Sequence, residues 1–364
     1  MKLKSLKLHN YRNCKNIELD FDFDKTIIVG KNAQGKTNIL ESIYYLSALK
    51  SPRTSNIKDL VRFGEDNFSV DGLLAKSGTE IELNIEYILN KTKIQKLNGL
   101  KTTPKNYKSA MTTVLFSTQD LLLLRGTPQD RRAWLDSAIS QIYPTHDDRL
   151  SKYNKIRIQK NNLLKEQNIN TDLLDVFNEQ LVITGANIIY TRQKFLTELK
   201  KHASLKYSEI SNSEVFDFEY SLNFKEIDEI SDQLKTELKE RQQEEIARHQ
   251  SVVGPHRDDV LFYLDKNDAT KFASQGQQRT VVLSLKLAEI ELIKEKYGYN
   301  PILLLDDVLA ELDDLRQSYL LKAISDSTQT IITSVDTLLF EDEFLRNVKI
   351  YNIKDGEIAY KQVS

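Results

Sequence analysis

Two short stretches of this chain hold residue types that can handle a nucleoside triphosphate. Gly30-Lys31-Asn32-Ala33-Gln34-Gly35-Lys36-Thr37 fits the pattern Gly, four of any kind, Gly-Lys-Ser/Thr, a loop whose backbone N–H groups can cradle phosphates. In that geometry Lys36 puts a point charge on the β- and γ-oxygens and the Thr37 hydroxyl holds Mg²⁺. The second stretch is Asp306-Asp307, which ends the apolar run Ile302-Leu303-Leu304-Leu305. Asp306 can bind Mg²⁺ directly or through water, and Asp307 can orient or deprotonate the attacking water. Taken alone, an apolar run ending in acid also fits a strand that meets solvent; its pairing with the phosphate loop supplies the chemical meaning.

A further stretch, Ser274-Gln275-Gly276-Gln277, opens a long amphipathic segment carrying Val281, Val282, Leu285, Ala288 and Leu292. Ser274 is a suitable N-cap, and an exposed helix start beside Gly276 makes a second anion site. One chain has no evident need for two triphosphate clamps. The economical arrangement is two chains head to tail, each laying its Ser274 loop on the other's nucleotide, with Ala310-Glu311-Leu312-Asp313 at the junction.

These residues need elements to hold them. Thr26-Ile27-Ile28-Val29 reads as a buried strand before the loop, and Ile39, Leu40, Ile43 and Leu46 follow it at helical spacing. Residues 2–9 and the alternating Ile17, Leu19, Phe21 and Phe23 extend a sheet. Phe68 to Leu74, then Ile81 to Tyr87 after Ser77-Gly78, then Lys93 to Leu100 bent at Asn98-Gly99, read as antiparallel hairpins. From about Gln129 to Gln250 the pattern is helical, with boundaries at Tyr143-Pro144 and Ser211-Asn212-Ser213 and no sustained heptad, so a compact lobe is expected rather than a coiled-coil rod. Strands return at Val260–Leu264, at Ile302–Leu305 and, as the last one, at Thr330–Thr333. The loop and the paired carboxylates stand roughly 270 residues apart, so an insertion splits the core. The expected fold is α/β: a P-loop ATPase head from residues 1–125 and 251–364 with an antiparallel side sheet, and a compact α-helical lobe from 126–250.

Composition bounds the partners. Of 364 residues, 40% are hydrophobic and 29% charged, as in a soluble globular protein. Cys14 is alone, which excludes an intramolecular disulfide and suits a cytoplasmic setting. No signal or membrane-spanning pattern is present, so no membrane partner is expected. A net charge of −2 excludes a globally basic surface, and any polyanion site must be local. Lys91, Lys93, Lys96, Lys101, Lys105 and Lys108 form the best such patch, uninterrupted by acid, around the Asn98-Gly99 turn. They can neutralise DNA phosphates without reading bases, or serve only to blunt a sheet edge. Lys152, Lys155, Arg157 and Lys160 mark a second patch. His256, with no cysteine or second histidine nearby, suits a structural turn better than a metal.

Gly30 to Thr37 resembles the Walker A motif of ABC-type ATPases, Ile302 to Asp307 their Walker B, Ser274 to Gln277 their signature motif and Ala310 to Asp313 their D-loop. Among the SMC-like repair ATPases, the short helical insertion makes the chain similar to the RecF family of bacterial recombination mediators. Asp120 to Pro128 with Arg131 to Asp136, and Gly254 to Asp259, resemble that family too. The resemblance implies an ABC-type head that binds ATP with Mg²⁺, an ATP-dependent homodimer, and DNA binding at single-strand gaps or junctions in recombinational repair and replication restart. It implies weak, DNA-stimulated ATP hydrolysis and cooperation with RecO and RecR in placing RecA. By analogy Arg12 and Asn13 contact the nucleotide, and Arg53-Thr54 lie beside the core. Departures are informative. Thr118-Gln119 stand where RecF proteins commonly carry Pro-Glu, and Gln119 is a candidate to touch Mg²⁺ and water. Asp307 stands where glutamate is usual, and Ser334-Val335-Asp336 lack the switch histidine of transporter-type relatives, which implies slow hydrolysis. A nucleotide-binding subunit of an ABC transporter and a purely structural SMC-like scaffold share the same head motifs and are the alternatives.

Overall fold

The computed structural model describes residues 1–211, 214–224, 229–324 and 328–363. The chain begins with β1 (Lys2–Tyr11), β2 (Cys14–Asp20), β3 (Lys25–Val29) and α1 (Lys36–Ala48). It continues through β4 (Asn67–Lys76), β5 (Thr79–Ile88), β6 (Ile94–Leu97), β7 (Leu100–Lys101), α2 (Pro104–Lys108) and β8 (Thr113–Ser117). Then come α3 (Pro128–Ile142), α4 (His146–Leu163), α5 (Thr171–Ile210), β9 (Phe216–Ser221), α6 (Ile230–Glu240) and α7 (Gln242–Arg248). β10 (Asp259–Leu264), β11 (Asn267–Asp268), α8 (Ala269–Phe272), α9 (Gln275–Tyr297) and β12 (Ile302–Asp306) follow. The chain closes with α10 (Asp314–Ala323), β13 (Thr330–Ser334), α11 (Asp342–Leu345), β14 (Val348–Lys354) and β15 (Glu357–Val363).

Two compact units divide this chain, one of Met1–Leu121 with Lys286–Ser364 and one of Leu122–Leu285. The first holds two sheets. In one, ordered β15-β14-β3-β13-β12-β8, every pairing is parallel except β14 with β15. Its central strands read as unbroken apolar runs because helices and the second sheet cover both faces; Ile302 to Leu305 and Thr26 to Val29 are buried throughout. The second sheet, β2-β1-β4-β5-β6-β7, is antiparallel and alternates buried with exposed positions, as a sheet with one wet face must. Ser77-Gly78 and Asn98-Gly99 make its tight turns, all four residues at positive φ. Leu6, Leu8, Ile43, Leu46, Val70 and Leu304 share one core between helix and sheets.

The expected architecture holds with two additions. β14 and β15 follow the strand read as the last one, and the pair joins the parallel sheet beside β3. In the second unit β9 pairs with β10 in a small antiparallel sheet, so the inserted lobe is not wholly helical. That pairing also draws Val260–Leu264, expected with the head, into the second unit, and residues 251–285 group there. The expected boundary at Ser211-Asn212-Ser213 is partly outside the described residues, though α5 does end at Ile210. Among the described residues no helix is long and apolar enough to cross a membrane.

The second unit is organised by buried charge. Arg192 on α5 grips Asp136 of α3 with two hydrogen bonds of 2.8 and 2.7 Å and donates to the Pro255 carbonyl at 2.7 Å. Arg131 holds Asp259 in the same bidentate way, at 2.8 and 2.6 Å. Arg132 donates to the Asp258 carbonyl, and the Tyr220 hydroxyl donates to the Asp258 carboxylate. The two segments Arg131 to Asp136 and Gly254 to Asp259 are thus halves of one structural network. Burial alone would raise the Asp136 carboxyl; Arg192 and His146 overcome it and hold the group at about 2. His256, bonded to Tyr153 at 2.7 Å, is pushed down to about 3 by burial and stays neutral in a structural role.

Lys160 shows how strongly such pairs constrain the unit. It is fully buried against Glu245 at 2.5 Å, so it belongs to the interior and not to the basic patch expected with Lys152 and Lys155. Removing one member of a buried pair strands the other, a loss of about 3–5 kcal/mol. Lys160→Met is expected to lower the unfolding midpoint in urea accordingly. The double variant K160M/E245Q, which removes both charges and keeps an acceptor for the Val252 N–H, is expected to recover more than half of it.

Candidate functional site

In the parallel sheet of the first unit, β3, β13, β12 and β8 all run the same way, so their C-terminal ends form one edge. Register puts Val29 beside Ser334, Thr333 beside Asp306 and Asp306 beside Ser117. Crevices at such edges are where open α/β sheets bind ligands.

The Gly30–Thr37 loop leaves this edge from β3. The Gly30 N–H donates to the Ser334 carbonyl at 3.2 Å, and a Cβ on Gly30 would stand 2.5 Å from the Ile353 carbonyl oxygen of β14. Gly35 adopts φ +108°, and a Cβ there would meet Asn13 Oδ1 at 2.7 Å. Gln34 ties the loop to the β14–β15 turn: its side-chain oxygen accepts the Asp355 N–H at 2.6 Å and its carbonyl accepts the Gly356 N–H at 2.9 Å. Lys31, Asn32 and Ala33 are exposed at the tip. Gly35 offers α1 no side-chain cap, and the first turn carries no acid. The first N–H groups of α1 are therefore left to an anion, which is what a phosphate cradle requires.

Lys36 is buried, and its Nζ donates to the Gly30 carbonyl at 2.7 Å and the Lys31 carbonyl at 3.3 Å, with Asp307 Oδ2 at 3.9 Å. Asp306 Oδ1 accepts hydrogen bonds from Thr37 Oγ1 and Thr333 Oγ1, both at 2.9 Å. Burial raises the Asp306 carboxyl above its ordinary value while both hydroxyls oppose the rise. Asp307 sits in the left-handed region at φ 51°, its N–H donating to Thr333 Oγ1 at 2.8 Å, which turns its carboxylate toward Lys36. Among the described residues no group of three or more His, Cys, Asp and Glu could hold a metal. One hydroxyl and one carboxylate fit Mg²⁺, which takes few protein ligands and completes its shell with phosphate oxygens and water.

Gln119 stands two residues beyond β8 on the same edge, in an exposed turn. Asp120 pins that turn, accepting from the Ser117 N–H at 2.7 Å and pairing with Lys286 at 2.9 Å. Gln119 is not hydrogen-bonded to Asp306 or Thr37. Arg12 and Asn13 flank the loop and are hydrogen-bonded to α1 and to the loop itself. Arg12 grips Glu41 of α1 at 2.9 and 2.7 Å; Asn13 donates to the Gln34 carbonyl at 3.2 Å and accepts from Asn38 at 2.7 Å. Arg53 closes the chain by donating to Asn38 at 2.7 Å.

In the second unit Ser274 caps α9 as its sequence predicts. Its hydroxyl accepts the Gln277 N–H at 3.2 Å, and its own N–H donates to Gln277 Oε1 at 2.7 Å, a reciprocal capping box. Gln277 Nε2 donates onward to Glu214 at 2.5 Å, and Glu214 accepts from the Tyr207 hydroxyl at 2.7 Å. Ser274 and Gln275 are exposed, Gly276 partly so.

The lysine patch loses members on inspection. Lys93 turns inward, donating to the Leu49 carbonyl at 2.7 Å over the Tyr45 ring, and burial pulls its pKa down to about 8. Lys96 pairs with Glu86 at 2.8 Å. Lys91, Lys101 and Lys105 are exposed, and Lys108 is half-buried.

Thr333, Glu41 and the Asp355-Gly356 turn had no signal in the sequence beyond ordinary strand and turn composition. Thr333→Val is expected to cost about 1–3 kcal/mol, because the Asp307 N–H loses its acceptor and Asp306 one of its two donors. Urea unfolding of the variant checks this, and Thr333→Ser should retain most of the stability.

Comparison with known proteins follows the same lines. Residues 2–359 match the RecF/RecN/SMC N terminal domain family. The chain is 41% identical to the DNA replication and repair protein RecF of Staphylococcus carnosus, over 98% of this chain and 100% of that one. It is 39% identical to the protein of the same name from Bacillus subtilis, over 99% and 100%. The solved structure of the recombination mediator protein RecF with ATP, from the RecFOR pathway, superposes with a TM-score of 0.89 at 37% identity, covering 99% of this chain and 97% of that one. An Smc head bound to the C-winged helix domain of ScpA shares the fold, with a TM-score of 0.57 at 17% identity over 100% and 98%.

Proposed function

The chain belongs to the RecF/RecN/SMC family, and from that premise we propose that it is an ATP-binding, ATP-hydrolysing protein of DNA replication and repair. The observation that carries the reading is the contact of Thr37 with Asp306 beside the uncapped start of α1. Gly30 to Thr37 wraps the triphosphate, Lys36 leaves its own loop carbonyls for the β- and γ-oxygens, and the α1 N–H groups complete the cradle. Thr37 and Asp306 would hold Mg²⁺, which would neutralise charge on the phosphates. Asp307 orients the attacking water; its shorter stem than the usual glutamate's, and the absence of a histidine at Ser334-Val335-Asp336, make turnover slow.

ATP in this reading joins two copies. The Ser274-to-Gln277 loop of one copy closes over the triphosphate held by the other. Support comes from apolar surface on both partners of the joint: Leu315, just after the Ala310–Asp313 loop, and Val335 and Leu338, just after β13, are 63%, 51% and 88% exposed, and Phe272 before Ser274 is 74% exposed. Covering these side chains on pairing would remove apolar surface from water on both copies. DNA is bound without base reading by Lys91, Lys101 and Lys105, in cooperation with RecO and RecR at single-strand gaps where RecA is placed, and hydrolysis releases it. The transporter alternative has no observation in its favour.

Lys36→Met is expected to abolish ATP binding, while Ser274→Arg binds ATP as the parent does yet shows no ATP-induced association in sedimentation. A Ser274→Arg protein that pairs normally rules out the shared pocket. Reversing Lys91, Lys101 and Lys105 to Glu is expected to weaken duplex binding and reduce the slope of log affinity against log salt by roughly 0.9 for each phosphate no longer neutralised. Lys93→Met should leave that slope unchanged, and titrations across salt concentrations separate the two outcomes.

A further inference from the structure

The 40-residue α5 turns a narrow line of side chains to solvent that the nucleotide chemistry does not use. At about 100° per residue, Asp172, Val176, Glu179, Ile183, Asn187, Tyr190 and Lys194 fall on one line, and all seven are exposed. Val176, Ile183 and Tyr190 keep 47%, 64% and 63% of their surface in water. The spacing along the line is the same in both directions from Ile183, and the residue types run acid, apolar, acid, apolar, amide, apolar, base.

We propose that this line docks against α5 of a second copy, antiparallel, with the two-fold axis at Ile183. Turned end for end, the line complements itself at every step. Asp172 meets Lys194 of the partner subunit, Val176 meets Tyr190 of the partner subunit, Glu179 meets Asn187 of the partner subunit, and Ile183 meets its own copy. A parallel pair would set Asp172, Glu179 and Lys194 each against the same charge. A helix from an unrelated protein would need no such symmetry about one residue, which is why a second copy is the occupant the residues favour.

The line is about 33 Å long. It buries well under the roughly 800 Å² per partner of a stable complex. The contact is accordingly weak and concentration-dependent. It belongs to the helical unit, needs no nucleotide and is separate from the joint over ATP.

Cross-linking of the full-length protein without nucleotide tests the register. Cys14 is buried, so introduced cysteines dominate the reaction with a short bis-maleimide. Ile183→Cys is expected to cross-link to itself. Val176→Cys and Tyr190→Cys alone are not, since each would lie roughly 21 Å along the axis from its own copy, but an equal mixture of the two should give a mixed dimer. Lys194→Asp should cut the Ile183→Cys yield roughly fivefold, and adding Asp172→Lys should restore it. Two results overturn the proposal: Val176→Cys cross-linking alone as well as in the mixture, or no Ile183→Cys product from protein whose circular dichroism and ATP binding match the parent. Because no nucleotide is present, either result leaves the ATP-dependent joint standing or falling on its own test.

Discussion

One carboxylate oxygen, Oδ1 of Asp306, accepts the hydroxyl protons of Thr37 and Thr333, and the catalytic edge is assembled around it. Thr37 brings the first turn of α1, Thr333 brings β13, and Thr333 also takes the Asp307 N–H, so one small cluster ties the phosphate loop, Asp306 and Asp307 together. A carboxylate buried this deeply keeps its charge only if donors or a cation compensate for lost water. The two hydroxyls compensate in part, which leaves the group suited to a divalent ion. The parallel sheet makes the arrangement rigid: β12 lies between β8 and β13, covered on both faces, with no freedom to shift register.

The starts of α1 and α9 are prepared in opposite ways. α1 begins at a glycine without a side-chain cap, so its N–H groups wait for an anion. α9 is closed by its own Ser274 and Gln277, and Glu214 and Tyr207 fasten the latter. The first is open in a single molecule. The second has its Ser274 and Gln277 N–H groups satisfied internally, so in the proposed pairing a γ-phosphate would compete with a hydrogen-bonded box of modest strength, about 1 kcal/mol for such a cap.

Charge in this molecule divides sharply between interior and surface, and the near-zero net charge hides the division. Arg131, Arg192 and Lys160 are spent on buried carboxylates that lock the second unit. Asp136 contributes stability that is present above the ordinary aspartate value near 3.9. That contribution is lost as pH falls through about 2. Lys91, Lys101 and Lys105 are exposed on the opposite kind of ground, an edge hairpin and the short helix after it, where amines stay hydrated and available to a polyanion.

Features that depend on neighbours in the chain were legible from residue order alone. Thr26 to Val29 and Ile302 to Leu305 announce buried parallel strands, the glycine spacing announces a phosphate loop, and Ser274 with Gln277 announces a capped helix, because each is built from contacts a few residues long. What required the folded chain was everything that joins distant residues. Lys93 and Lys160 cannot be told from surface lysines until Leu49, Tyr45 and Glu245 are brought beside them. Phe216 to Ser221 becomes a strand by pairing with Asp259 to Leu264, which moves residues 251–285 into the second unit. Thr333 enters the site only because parallel register sets it beside Asp306, and Gln34 is held only because the Asp355-Gly356 turn reaches it. Local patterns fix the identity of each element; partners from other elements, 27 to 321 residues away, decide which side chains are free to act.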